Sequence, residues 1–143
     1  MLFRSELLRN DWKIEADIWS VTSFTELRRD GMQAERTNRL GGKAVSWVET
    51  CLKGAPGPVV AASDYVSALA DLIRPYVPGK YVALGTDGFG RSDTRAALRN
   101  FFEVDAQGIV VAALAALGSP LAADARRRYG YDDTGRAVAP WQR

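Results

Sequence analysis

Apolar and polar positions change period along the chain, and those changes mark out its elements. Glu6 through Trp12 reads as a helix with almost no lead-in. Ala16-Asp17-Ile18-Trp19-Ser20-Val21 then alternates, is rich in β-branched and aromatic types, and reads as a strand. Ser23-Phe24-Thr25-Glu26 has the spacing of a capping box, in which the serine hydroxyl accepts the N–H of Glu26 while the Glu26 carboxylate reaches back to the N–H of Ser23. A cap of this kind contributes ~1 kcal/mol. The helix it opens runs to Gly31, continues or restarts through Met32–Leu40, and stops at Gly41-Gly42. Ala44–Lys53 reads as a short helix with Gly54 as its C-terminal cap.

Beyond the breaker Pro56-Gly57-Pro58, the unbroken apolar run Val59–Ala62 fits a strand buried on both faces. Ser63 or Asp64 is expected to cap a helix with Val66, Leu69, Ala70 and Ile73 on one face, ended or distorted by Pro75. Tyr81–Leu84 is a further strand, running into Gly85-Thr86-Asp87-Gly88-Phe89-Gly90-Arg91. Ser92 or Asp93 is expected to cap the next helix, and Asp105 the one after it, which ends at Gly118. Ser119-Pro120 has the pattern of an N-cap with proline at the first helical position, opening a last helix to about Tyr129. After residue 130 the chain reads as a polar tail, residues 131–143, with Trp141 able to dock. Alternating strands and helices joined by short capped junctions imply an α/β domain with a mainly parallel sheet.

Composition narrows the chemistry. The 143 residues suit one domain, and 47% hydrophobic with 25% charged residues describes a chain able to bury a core. A formal charge of +2 predicts no strong attraction to nucleic acid. There is no histidine, which removes Ser-His-Asp and Cys-His catalysis and histidine zinc sites. The single cysteine, Cys51, excludes an internal disulfide and reads as a packing residue. The N-terminus turns charged before an apolar stretch of signal-peptide length develops, and Ile109–Leu117 is about half the ~20 residues of a spanning helix. A cytoplasmic protein that does not engage membrane is the expectation.

The strongest candidate site is the glycine loop, where Gly85, Gly88 and Gly90 follow a strand and precede a helix. Its spacing is G-x-x-G-x-G rather than G-x-G-x-x-G, and no Gly-Lys-Ser/Thr follows. Asp87 and Asp93 place two carboxylates where a phosphate would sit, so the expected role is a tight turn whose aspartates cap the following helix and pair with Arg91. Its other readings are an interface loop formed by Asp87, Gly88, Phe89, Arg91, Ser92 and Asp93, a ligand loop, or a hard-metal site. Arg126-Arg127-Arg128 reads as a solvated helix face near a C-terminus. Trp12, Trp19 and Trp47 read as core or interface residues.

Three stretches together resemble one family: Asp17–Leu27 with Arg29-Asp30-Gly31; Ser63-Asp64-Tyr65 with Tyr76-Val77-Pro78; and Leu84–Asp93, followed by Arg95, Leu98, Phe102–Asp105 and Val110–Leu114. Over roughly residues 4 to 130 the chain resembles the C-terminal domain of the homodimeric bacterial pyruvate dehydrogenase E1 component, in the transketolase superfamily. The resemblance implies a three-layer α/β/α domain over residues 1–130. It also implies a parent enzyme that uses thiamine diphosphate and magnesium to decarboxylate pyruvate and passes the acetyl group to lipoyl groups on the dihydrolipoyl acetyltransferase E2. The implied partners are the rest of E1, its homodimer mate and, through the full enzyme, E2. In that family the cofactor lies between the two preceding domains, which supply the catalytic groups. No family catalytic or cofactor residue maps here: Thr86-Asp87-Gly88 lacks the first glycine of the Gly-Asp-Gly motif.

The resemblance further implies that the first strand of the domain is missing, a strand that would lie between residues 16–22 and 58–63. The expectation is a truncated, marginally stable, catalytically inactive piece with unpaired strand edges. Its expected contribution is structural, shielding the active-site mouth and supporting the dimer. A free-standing module binding anions at helix N-termini near Ser63 and Ser92, and the E1 of a different 2-oxo acid dehydrogenase, are the alternatives.

Overall fold

The computed structural model describes residues 3–132 and 138–142. In chain order it contains α1 (Phe3–Trp12), α2 (Phe24–Arg39), α3 (Trp47–Leu52), β1 (Val59–Ala62), α4 (Ser67–Asp71), β2 (Tyr81–Leu84), α5 (Arg95–Phe101), α6 (Ala106–Ala116) and α7 (Leu121–Arg128). Single 3-10 turns lie at Arg74–Tyr76 and Pro140–Gln142. The strands pair in parallel, Val59 opposite Tyr81 and Ala62 opposite Leu84, forming a two-stranded sheet among the described residues. This is the expected α/β arrangement around a small parallel sheet, and no helix among the described residues is long and apolar enough to cross a membrane.

Local chemistry explains most boundaries. Ser23 caps α2 by accepting from the Glu26 N–H at 3.2 Å, while the Glu26 carboxylate is engaged by Arg29 rather than by the Ser23 backbone. α2 passes through Gly31 without interruption, which settles the continuation left open by the pattern. Ser46 caps α3, so that helix begins three residues later than Ala44, and Asp30 of α2 also accepts the Trp47 N–H at 2.6 Å. Asp105 caps α6 as expected, and Lys80 Nζ donates to the Ala116 carbonyl at its negative C-terminal end. Pro120 occupies the N-cap position of α7 rather than the first helical position, with the Ser119 hydroxyl accepting from the Leu121 N–H.

Other expectations are corrected. Residues 16–21 form no strand: they run irregularly with Ile18, Trp19 and Val21 exposed. A strand exists only by pairing, and no neighbouring strand lies beside this stretch among the described residues. β1 is half-buried rather than buried on both faces, because a sheet of two strands leaves its edges and part of its faces uncovered. The helix expected from Ser63 or Asp64 shrinks to α4, whose N-cap position is Val66, and the chain then tightens into the 3-10 turn containing Pro75. Trp12 is a core residue, whereas Trp19 and Trp47 are exposed.

Two apolar clusters hold the molecule. One joins Leu8 and Trp12 of α1 to Val110 and Leu114 of α6 and Ala122 and Ala125 of α7. Trp12 Nε1 donates to the Tyr129 hydroxyl at 3.0 Å, Tyr129 donates to Asp11, and Arg128 pairs with Asp11 at 3.1 Å. The other gathers Val48, Ile73, Tyr76, Val77 and Tyr81, with Phe24 and Leu27 of α2 and Val59, Ala61 and Ala83 of the sheet packed against them. Strand alternation leaves Val60, Ala62, Val82 and Leu84 for the opposite face; α6 also contacts both strands. Gly31 is needed where α2 crosses Tyr76, since a Cβ there would meet the tyrosine ring. Burial, with the Glu35 carboxylate adding and Arg28 opposing, pushes the Tyr76 phenol above its ordinary pKa.

The two sheet edges differ. The Tyr81 carbonyl on the outer side of β2 accepts from Arg74 Nη1 at 2.9 Å, and Asp71 holds that arginine in place. On the outer side of β1, no further strand follows among the described residues.

Candidate functional site

The glycine loop springs from the C-terminal end of β2 and turns back across the start of α4. Its inner face is densely bonded. The Thr86 N–H donates to the Tyr65 carbonyl at 2.9 Å and its hydroxyl to the Asp64 carbonyl at 2.8 Å. Asp87 Oδ1 accepts the Ser67 N–H at 3.0 Å, so this aspartate caps α4, twenty residues earlier in sequence, and not the helix that follows it. Gly85 is required by this closeness: a Cβ would lie 2.6 Å from both the Ser67 Cα and the Tyr65 carbonyl oxygen.

The far side of the loop is formed differently from the sequence expectation. Thr94, not Ser92 or Asp93, is the N-cap of α5, accepting from the Ala97 N–H at 3.3 Å, and Asp93 accepts the Thr94 N–H at 2.7 Å. Arg91 does not serve the aspartates; its guanidinium lies over the Phe101 ring, 4.1 Å from the centroid. Asp64 instead pairs with Arg99 through two bonds, of 3.0 Å and 2.6 Å, and this hydrogen bonding pushes the Arg99 pKa further up. The pair ties the end of β1 to α5. Ser63, the other suggested cap, accepts from the Tyr65 N–H in a local turn.

The described part of the tail contributes to the same place. Gly88 has φ +126°, a region glycine tolerates, and a Cβ there would lie 3.0 Å from the Trp141 Cα and 3.3 Å from the Pro140 carbonyl oxygen. Residues 138–142 therefore do not trail away as a polar extension: Pro140 is buried beside the loop, while the Trp141 side chain stays largely outside. The expected docking of Trp141 is thus a docking of its backbone. Between tail, loop and sheet lies a half-open depression of about 340 Å³, lined by Ala83, Leu84, Gly85, Asp87, Phe102, Glu103 and the tail.

Chemically the loop has a polar interior and an apolar rim. Phe89 is 84% exposed, Tyr65 70% and Trp141 58%. Each of these is a large aromatic side chain left mostly in solvent. Asp87 and Asp93 each accept a backbone N–H, and no group of three His, Cys, Asp or Glu able to hold a metal occurs among the described residues. Sequence reasoning missed Thr94 and Arg99, both in plain view as a possible cap and a possible carboxylate partner. Asp64–Arg99 spans 35 positions, and no local signal announces it. The arginines of α7 behave as a surface face, with Arg126 paired to Asp132 and Arg127 to Asp124.

The family model described as "Transketolase-like TK C-terminal domain" matches residues 2–105. The chain is 54% identical over 138 residues to the pyruvate dehydrogenase E1 component of Pseudomonas aeruginosa, covering 90% of this chain and 16% of that protein. It is 50% identical to the pyruvate dehydrogenase E1 component of Cupriavidus necator, covering 90% and 15%, and 48% identical to that of Escherichia coli K12, covering 79% and 13%. The chain thus spans about one sixth or less of the length of the curated relatives it matches.

Proposed function

Since the chain belongs to the transketolase-like TK C-terminal domain family, we propose that it works as the C-terminal portion of a pyruvate dehydrogenase E1 component, supplying scaffold and contact surface rather than catalytic groups. The observation that carries this reading is the glycine loop. Asp87 turns back onto the start of α4 and Asp93 accepts the N–H of Thr94, the N-cap of α5, while Phe89 at the tip is 84% exposed. A loop stiffened from within and apolar at its tip suits a protein contact better than a reaction centre. Asp87, Gly88, Phe89, Arg91, Ser92 and Asp93 form that contact with the rest of E1 or its homodimer mate.

Thiamine diphosphate and magnesium, on this reading, are held by other parts of E1, as are the groups that decarboxylate pyruvate and hand acetyl to the E2 acetyltransferase. The edge of β1 that carries no further strand among the described residues, and the irregular residues 16–22, are the places where further E1 polypeptide completes the sheet, so residues 1–130 act as an incomplete domain until joined to it. The bacterial cytoplasm is the compartment this assembly implies. Pyruvate, rather than another 2-oxo acid, is favoured by the names of the relatives.

The test is complementation. The purified chain should show no pyruvate decarboxylation with thiamine diphosphate and magnesium. It should restore turnover when mixed with an E1 lacking the matched region, and Phe89→Ser should weaken that restoration. Turnover by the isolated chain, or failure of the chain to associate with the E1 remainder, would overturn the proposal.

A further inference from the structure

We propose that the 3-10 turn Pro140–Gln142 is a strap that holds the Gly85–Asp93 loop in shape, so that loop and C-terminal segment order and loosen together. The inference stands on contacts within this chain and not on its place in E1. The loop is clamped from two sides, and each clamp is marked by a glycine that no other residue can replace without moving backbone. On one side Gly85 admits the Ser67 backbone, and Asp87 and Thr86 bond to the start of α4. On the other, Gly88 admits the backbone of Pro140 and Trp141.

The tail side has its own internal order. The Gln142 N–H donates to the Ala139 carbonyl at 2.9 Å, closing the turn, and Pro140 is buried. Gly90, three residues past Asp87 in the same loop, meets nothing within 4 Å. The loop is therefore not uniformly glycine-dependent; the requirement falls at Gly85, against α4, and at Gly88, where the tail lies. Removing the strap opens the depression lined by Ala83, Leu84 and Phe102 and takes away the three atoms nearest to a Cβ at Gly88.

Deuterium exchange on the full chain and its variants tests this. Gly88→Val should make the C-terminal peptide exchange at least roughly tenfold faster, and deletion of residues 138–143 should do the same to the peptide covering 85–93. Gly90→Ala should leave both peptides at the parent rate. The β1 and β2 peptides report whether a variant has unfolded altogether; if Gly88→Val does so, the tail-deleted chain decides. Parent-rate exchange through 85–93 in the tail-deleted chain, or an unchanged C-terminal peptide in a folded Gly88→Val chain, would overturn the inference.

Discussion

Gly31→Ala is the substitution for which the structure and simple helix propensity predict opposite signs. Gly31 sits within the sixteen-residue α2, where alanine should stabilise by ~1 kcal/mol on propensity alone. The added methyl, however, lands on the Tyr76 ring, with Cδ2 at 2.5 Å and Cε2 and Cζ closer still. Ordinary carbon–carbon contact is about 3.5–4.0 Å, so ring or helix has to move by about 1 Å or more. The ring has little freedom to do so, being buried among Val48, Ile73, Val77 and Tyr81 with the Arg28 guanidinium 5.8 Å from its centroid. Overpacking of this kind costs about 1–3 kcal/mol, and a rigid buried target puts it at the upper end. Net of the propensity gain, Gly31→Ala should destabilise by about 1–2 kcal/mol, against ~5–15 kcal/mol for a typical domain. That corresponds to roughly 2–8 °C in melting temperature for a chain of this length. Urea denaturation followed by tryptophan fluorescence measures it, and the same change in a Tyr76→Leu background isolates the cause. With the ring gone, Gly31→Ala should become neutral or stabilising by up to ~1 kcal/mol. If Gly31→Ala equals or exceeds the parent in stability, or costs the same in both backgrounds, the packing argument is wrong.

Further outcomes follow from individual bonds. Asp87→Ala should cost about 1–2 kcal/mol by leaving the Ser67 N–H at the start of α4 without its acceptor, and Asp87→Asn should recover part of it in the same urea titration. Tyr129→Phe should cost about 1–3 kcal/mol because the buried Trp12 Nε1–H loses its acceptor; a red shift of tryptophan emission should accompany the loss. Burial, with Asp71 adding and Arg74 opposing, pushes the Tyr81 phenol from the usual 10.0 up to about 12. The fold thus favours the neutral phenol, so this contribution is fully present below about pH 10 and declines as pH rises toward about 12. Tyr76 and Tyr129 are shifted the same way. Urea midpoints between about pH 8 and pH 12 should stay level and then fall, with a shallower fall for Tyr81→Phe; an equally steep fall in that variant would refute the assignment.

Much of what depends on neighbours in sequence is legible in the sequence. Ser23 and Asp105 cap the helices their spacing announced, and Val59–Ala62 and Tyr81–Leu84 form strands within the residues proposed for them. Several misreadings share one cause, distance along the chain, whereas the caps at Thr94 and Pro120 were misplaced by only one or two positions. Asp87 sits beside a helix start yet caps an earlier helix, because the strand end returns the loop to α4. Ala16–Val21 has the composition of a strand, but pairing is a property of two segments and its partner is not among the described residues. Arg91 had two carboxylates nearby in sequence and took an aromatic face instead. At the candidate site, the loop was legible as a feature, while its two-sided clamp was not, since Gly88 and Trp141 are far apart in sequence.

The cluster that unites α1 with α6 and α7 has a temporal consequence. Trp12 and Tyr129, bonded in the folded chain, are 117 positions apart. At ~5–20 residues per second of synthesis, Leu8 and Trp12 wait roughly 6–23 s before the residues that bury them have been made. The first helix is therefore among the last to dock, and a ribosome-bound nascent chain displays its apolar stripe throughout that interval. Chaperone recognition of the nascent polypeptide should include the stretch Leu8–Trp12 and lapse there only once α7 has emerged.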